Sequence, residues 1–105
     1  MPQSDSSSAF RTSPSLLLRV QADDADAWSQ LVELYAPLVY HWCRRSQLGA
    51  EDTADVFQET FRAVATNIQA FRRDRKGDTF RGWLRGITSN KLLKLFERRQ
   101  GQPQA

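Results

Sequence analysis

Between Trp28 and Trp42 the apolar side chains recur every three or four residues: Trp28, Leu31, Val32, Tyr35, Leu38, Val39 and Trp42. That spacing puts them on one stripe of an α-helix, whereas a half-buried strand needs alternation with a period of two. The helical period returns in Phe57, Phe61, Val64, Ile68 and Phe71, and again in Phe80, Trp83, Leu84 and Ile87. No segment alternates apolar and polar residues as a strand would. The core must therefore be built from helices, and the chain reads as all-α, a compact bundle of about four.

Local signals set the boundaries. Ser13 can cap a short first helix with Pro14 at its first position and Leu16, Leu17, Leu18 and Val20 as apolar surface, ending near Ala22. The second helix runs from about Asp24 to Gln47, with acidic residues at its start and Arg44–Arg45 at its end, both favourable to the helix dipole. Pro37 lies inside it and removes a backbone donor, which predicts a kink or a break, and Gly49 is placed to stop it. The third helix starts near Ala50–Glu51 and extends to about Ala70. The fourth spans roughly Thr79 to Arg99, capped by Thr79 or Asp78, and its apolar stripe loses clarity around Ser89–Asn90–Lys91.

With 105 residues and polar, Ser-rich or Gln-rich ends, one domain over 13–99 is expected, flanked by a disordered tail at 1–12 and a short tail at 100–105. A single cysteine, Cys43, cannot form an internal disulfide, which fits a reducing, cytoplasmic setting. No apolar run approaches the roughly 20 residues of a membrane span, and the N-terminus lacks a basic-then-apolar secretory pattern.

Charge is divided along the chain. From Asp23 to Phe61 there are eight acidic side chains (Asp23, Asp24, Asp26, Glu33, Glu51, Asp52, Asp55, Glu59) and two basic ones, net −6. From Arg72 to Arg99 there are ten basic side chains against Asp74, Asp78 and Glu97, net +7. The overall +3 conceals this split, which suggests two different partners, one of them phosphate-bearing.

Catalytic groups are scarce. His41 and Cys43 are two residues apart and point to different sides of a helix, so they make no nucleophile–base pair, and the Cys and His count is too low for a zinc site. The chain is expected to be no enzyme and to carry no cofactor or metal. On the third helix Asp55, Gln58, Glu59 and Arg62 fall opposite the apolar face, either as a solvated surface or as a docking surface for basic groups of a partner. In the loop before the fourth helix, Arg72, Arg73, Arg75 and Lys76 place four like charges within five residues. Beside a helix carrying Arg85, Ser89, Asn90, Lys91, Lys94 and Arg98, such a cluster suits a nucleic-acid backbone, with the Asn90 amide free to read a base edge. Phe71, Phe80, Trp83 and Phe96 are interleaved and could stack on unpaired bases, although at helical spacing an aromatic is more often core.

Three stretches, in order and at matching spacing, resemble the second conserved region of bacterial sigma factors of the extracytoplasmic-function subgroup. Trp28–Tyr40, proline included, looks like the family's first helical stretch. Glu51–Phe61 matches its acidic Asp-x-x-Gln-Glu-x-Phe segment, and Phe80–Leu92 looks like its promoter-reading helix. The resemblance covers about residues 13–99 and implies a sigma region 2 bundle that directs transcription initiation. It implies that Asp55, Gln58 and Glu59 dock on the clamp helices of the largest subunit of core RNA polymerase. It further implies that Arg72, Arg73, Arg75, Lys76, Arg85, Asn90, Lys91, Lys94 and Arg98 bind the melted non-template strand of the minus-ten promoter element, a base being drawn into a pocket made by the loop. An anti-sigma factor is a further partner that the family would allow.

Two departures are visible. No counterpart of the family's fourth region, a helix-turn-helix for the minus-thirty-five element, precedes Ala105, so the resemblance implies either a fragment of a longer protein or a reduced member. Where housekeeping members carry several adjacent aromatics for strand opening, Gly82 precedes the lone Trp83 here, which implies weak melting and narrow promoter choice. Two other functions fit the residues: a small helical domain reading duplex DNA through its last helix, and a helical module that binds polymerase or an inhibitory partner without selecting promoters.

Overall fold

The computed structural model describes residues 13–71 and 79–101. The expected tails and the loop cluster Arg72, Arg73, Arg75 and Lys76 lie outside the described residues. Four helices follow one another: α1 (Pro14–Gln21), α2 (Ala25–Arg45), α3 (Ala50–Asn67) and α4 (Phe80–Gly101), with a 3-10 turn at Ile68–Ala70 closing α3. Among the described residues there is no strand, and no helix is long and apolar enough to cross a membrane.

Each helix begins where its sequence supplies an acceptor or a free backbone. Ser13 Oγ accepts from the Leu16 amide at 3.1 Å ahead of Pro14. Asp24 caps α2 by accepting from the amides of Asp26 at 3.0 Å and Ala27 at 3.1 Å, and also takes the Arg19 guanidinium at 3.0 Å. The Ala27 amide and then Arg19 hold its carboxyl below the ordinary carboxylate range, because both favour the charged form. Thr79 caps α4: its hydroxyl accepts from the Gly82 amide at 3.0 Å. A β-carbon on residue 82 would sit 3.1 Å from that hydroxyl, so the glycine gives the cap its room.

Two helices end in the same way, and neither uses glycine. At the end of α1, Asp24 N–H bonds to the Arg19 carbonyl and Asp23 N–H to that of Val20, with Asp23 at φ 65°. At the end of α2, Leu48 N–H bonds to the Cys43 carbonyl and Gln47 N–H to that of Arg44, with Gln47 at φ 63°. Both are Schellman closures with a left-handed residue just past the helix. Gly49, expected to stop α2, instead precedes α3 as its extended N-cap at φ −73°; the chain has already turned at Gln47.

Pro37 neither breaks nor ends α2, which is continuous from Ala25 to Arg45. Pro37 and Glu33 are both exposed, and a helix hydrogen bond lost on an exposed face costs least, because water can take the place of the missing donor. The core joins Leu31, Tyr35, Leu38, Val39 and Trp42 of α2 to Val56, Phe61, Val64 and Ile68 and to Phe80, Leu84, Leu92 and Leu95 of α4. The expected stripe of α3 is rotated: Val56 and Thr60 are buried, while Phe57 and Phe71 are half-buried. Phe57 is drawn to one side by Tyr40, on which it stacks at 4.7 Å and 12°. The stripe of α4 also continues past Ser89, because Thr88 is buried and donates its hydroxyl to the Leu84 carbonyl at 2.9 Å. A threonine that bonds its own helix reads as polar in the sequence and behaves as core in the fold.

Candidate functional site

With Val56, Thr60 and Val64 turned inward, α3 presents Asp55, Gln58, Glu59 and Arg62 to solvent, all exposed. Glu59 pairs with Arg62 at 3.2 Å along the helix. Asp52, one turn earlier and only 20% exposed, pairs across the bundle with Arg99 of α4. Asp55 and Gln58 remain without an ion pair or side-chain hydrogen bond among the described residues. The three predicted docking residues thus share one outward face, held by the core on the other side of the same helix.

Around α4 the predicted DNA-binding residues divide between two edges. Lys91, Lys94 and Arg98 lie on the edge toward α3, where with Asp55, Glu59 and Val56 they line an open groove of about 220 Å³. None of these cations comes within 4.0 Å of either carboxylate. Arg85 lies on the other edge, toward α2, with its guanidinium carbon 5.6 Å from the centre of the Trp42 ring. A second groove of about 230 Å³ opens there, lined by Arg45 of α2, its C-cap Ser46, and Arg85 and Ser89 of α4, with the buried Trp42, Thr88 and Leu92. Asn90 is exposed on the surface between these edges. The two edges were not separable in the sequence without knowing which helix packs on which side of α4.

The segment Arg72–Asp78 is framed by an aromatic cluster. Phe71 just before it and Phe80 just after it meet edge-on at 5.8 Å, and Trp83 packs on both, at 5.0 Å and 5.6 Å. Tyr35 of α2 backs the cluster at 5.1 Å from Phe80. Trp83 is half-buried in this packing, in keeping with the core alternative for the interleaved aromatics. A pair of amides, which sequence spacing had no means to reveal, ties α1 to the same place. The Gln21 side chain donates to the carbonyls of Ile68 at 2.9 Å and Phe71 at 3.3 Å, and the Gln69 side chain donates back to the Gln21 carbonyl at 2.6 Å.

His41 is exposed and Cys43 fully buried, so they face apart as expected, and burial raises the thiol above its ordinary pKa. Among the described residues no group of three His, Cys, Asp or Glu side chains is placed to hold a metal.

Comparison with known proteins identifies the family. Over 73 residues the chain is 36% identical to the ECF RNA polymerase sigma factor SigE of Mycolicibacterium smegmatis, which covers 70% of the chain and 27% of that protein. Over 82 residues it is 28% identical to the ECF RNA polymerase sigma factor SigW of Bacillus subtilis, covering 78% of the chain and 42% of the relative. The chain thus spans less than half the length of either relative. Residues 31–102 match the family description Sigma-70 region 2, from the middle of α2 to the end of α4, and so take in the α3 face and both grooves. The chain belongs to the sigma-70 region 2 family, among its ECF members.

Proposed function

We propose that this domain acts in transcription initiation by docking on core RNA polymerase through Asp55, Gln58 and Glu59 and by holding the melted non-template strand of the minus-ten promoter element. The strand would be held by Arg85, Asn90, Lys91, Lys94 and Arg98 of α4 together with Arg72, Arg73, Arg75 and Lys76. The observation that carries the proposal is the pairing, in one member of this family, of an exposed carboxylate and amide face on α3 with Arg85, Lys91, Lys94 and Arg98 of α4, which form no ion pair among the described residues. A carboxylate–amide face of this kind accepts hydrogen bonds from arginines and amides, which suits the clamp helices of the polymerase. The cations on α4 suit a phosphodiester chain, and Asn90 between them can meet a base edge. The domain supplies binding energy and leaves the chemistry of RNA synthesis to the polymerase, in the cytoplasm.

The test is capture of the full chain by immobilised core polymerase, comparing wild type with Asp55→Ala/Gln58→Ala/Glu59→Ala. The triple variant should be retained at least tenfold less, since each charged hydrogen bond is worth about 1.5–3 kcal/mol. Equal retention of the two proteins refutes the docking face.

A further inference from the structure

We propose that Arg45 and Ser46, at the end of α2, form with Arg85 and Ser89 of α4 a phosphate-binding groove for the backbone of the single strand. The inference rests on the proposed strand binding and adds α2 to the DNA surface.

The two polar grooves that flank α4 differ in charge. The groove toward α3 carries three cations but also Asp55 and Glu59, so much of its positive field is cancelled locally. The groove toward α2 has Arg45 and Arg85 on its rim, two hydroxyls beside them, and no carboxylate in its lining. Neither arginine has an ion pair among the described residues, and Arg45 and Arg85 are exposed. Two unpaired guanidinium groups facing one hollow repel each other unless an anion lies between them. The C-terminus of α2 carries a partial negative charge of roughly half an electron, which two full cations outweigh.

Arg85 is held in advance. Its guanidinium rests near the face of Trp42, itself 7% exposed and fixed in the core, so its conformational freedom is reduced before any ligand arrives. A guanidinium attracted to an aromatic face spends no hydrogen bond on it, so its N–H donors stay available to phosphate oxygens. Ser46 and Ser89 can add neutral hydroxyl donors. The rim of the hollow carries two cations and two hydroxyls and no carboxylate or side-chain amide. A backbone phosphate is therefore the occupant that its chemistry fits.

Binding of the full chain to a fluorescent single-stranded oligonucleotide across a range of salt tests this. Arg45→Ala should weaken binding several-fold at low salt and lower the slope of log K against log salt by about 0.7, the loss of one phosphate contact on a single strand. The loss should be equal on a minus-ten oligonucleotide and on one of scrambled sequence, and Arg45→Lys should restore most of the slope. If wild type binds with a salt slope that Arg45→Ala leaves unchanged, the groove is refuted while strand binding stands. If Arg45→Ala loses affinity on one sequence only, Arg45 meets a base and the phosphate assignment falls. If wild type shows no salt-dependent binding to single strands, both proposals fail together.

Discussion

At the scale of single residues, the core holds one polar atom in an unusual position. Thr60 on α3 is fully buried, and its Oγ1 has no hydrogen-bond partner among the described residues. Thr88 on α4, equally buried, donates to a carbonyl one turn back and is satisfied. A buried hydroxyl without a partner costs about 1–3 kcal/mol, and valine has nearly the same shape without that cost. Thr60→Val should therefore raise the melting temperature by about 4–8 °C for each kcal/mol regained in a domain of this size, measured by calorimetry or circular dichroism. Thr88→Val should give no comparable gain, because it also removes a bond that is made. Both threonines sit at helical core spacing, but only their hydrogen-bond partners tell them apart, and those are not legible from sequence.

Among the helices, the ends are where sequence signals succeed or miss. Ser13, Asp24 and Thr79 each cap the helix that follows them, because short oxygen-bearing side chains at a helix start reach the free amides directly. The C-terminal signal at Gly49 misled. The left-handed turn falls two residues earlier, at Gln47, where a side chain makes that conformation unfavourable by about 1–2 kcal/mol. Gln47→Gly should therefore stabilise the domain by about 1 kcal/mol against urea, after allowing for the greater freedom glycine has in the unfolded chain. An unchanged or lower midpoint would show that the Gln47 side chain makes a compensating contact. α1 shows the reverse dependence. Its eight residues are too few to be stable alone, and the Gln21 and Gln69 amides anchor it to the end of α3.

At the scale of the whole molecule, the division of charge along the chain is not kept in space among the described residues of α3 and α4. Packing of α4 beside α3 brings Lys91, Lys94 and Arg98 to the groove that Asp55 and Glu59 also line, so the proposed docking face and part of the proposed strand surface share an edge. Electrostatic coupling follows. A carboxylate about 10 Å from a phosphate in water repels it by about 0.4 kcal/mol, so two of them weaken strand binding about fourfold. Asp55→Asn/Glu59→Gln should accordingly tighten binding of a single-stranded oligonucleotide about fourfold at low salt, and the gain should vanish at high salt, where the Debye length is shorter than that separation. Fluorescence anisotropy at two ionic strengths measures it. The sequence by itself determined that the chain is helical, where most helices begin, and which residues carry charge, because spacing, capping and ionisation are local properties. It also carried the family, through three short stretches whose order survives in the fold. Only the tertiary structure decided which cations of α4 stand opposite carboxylates and which stand with Arg45 over Trp42. That depends on which neighbour packs on each side of a helix, and it is set by contacts between residues far apart in the chain.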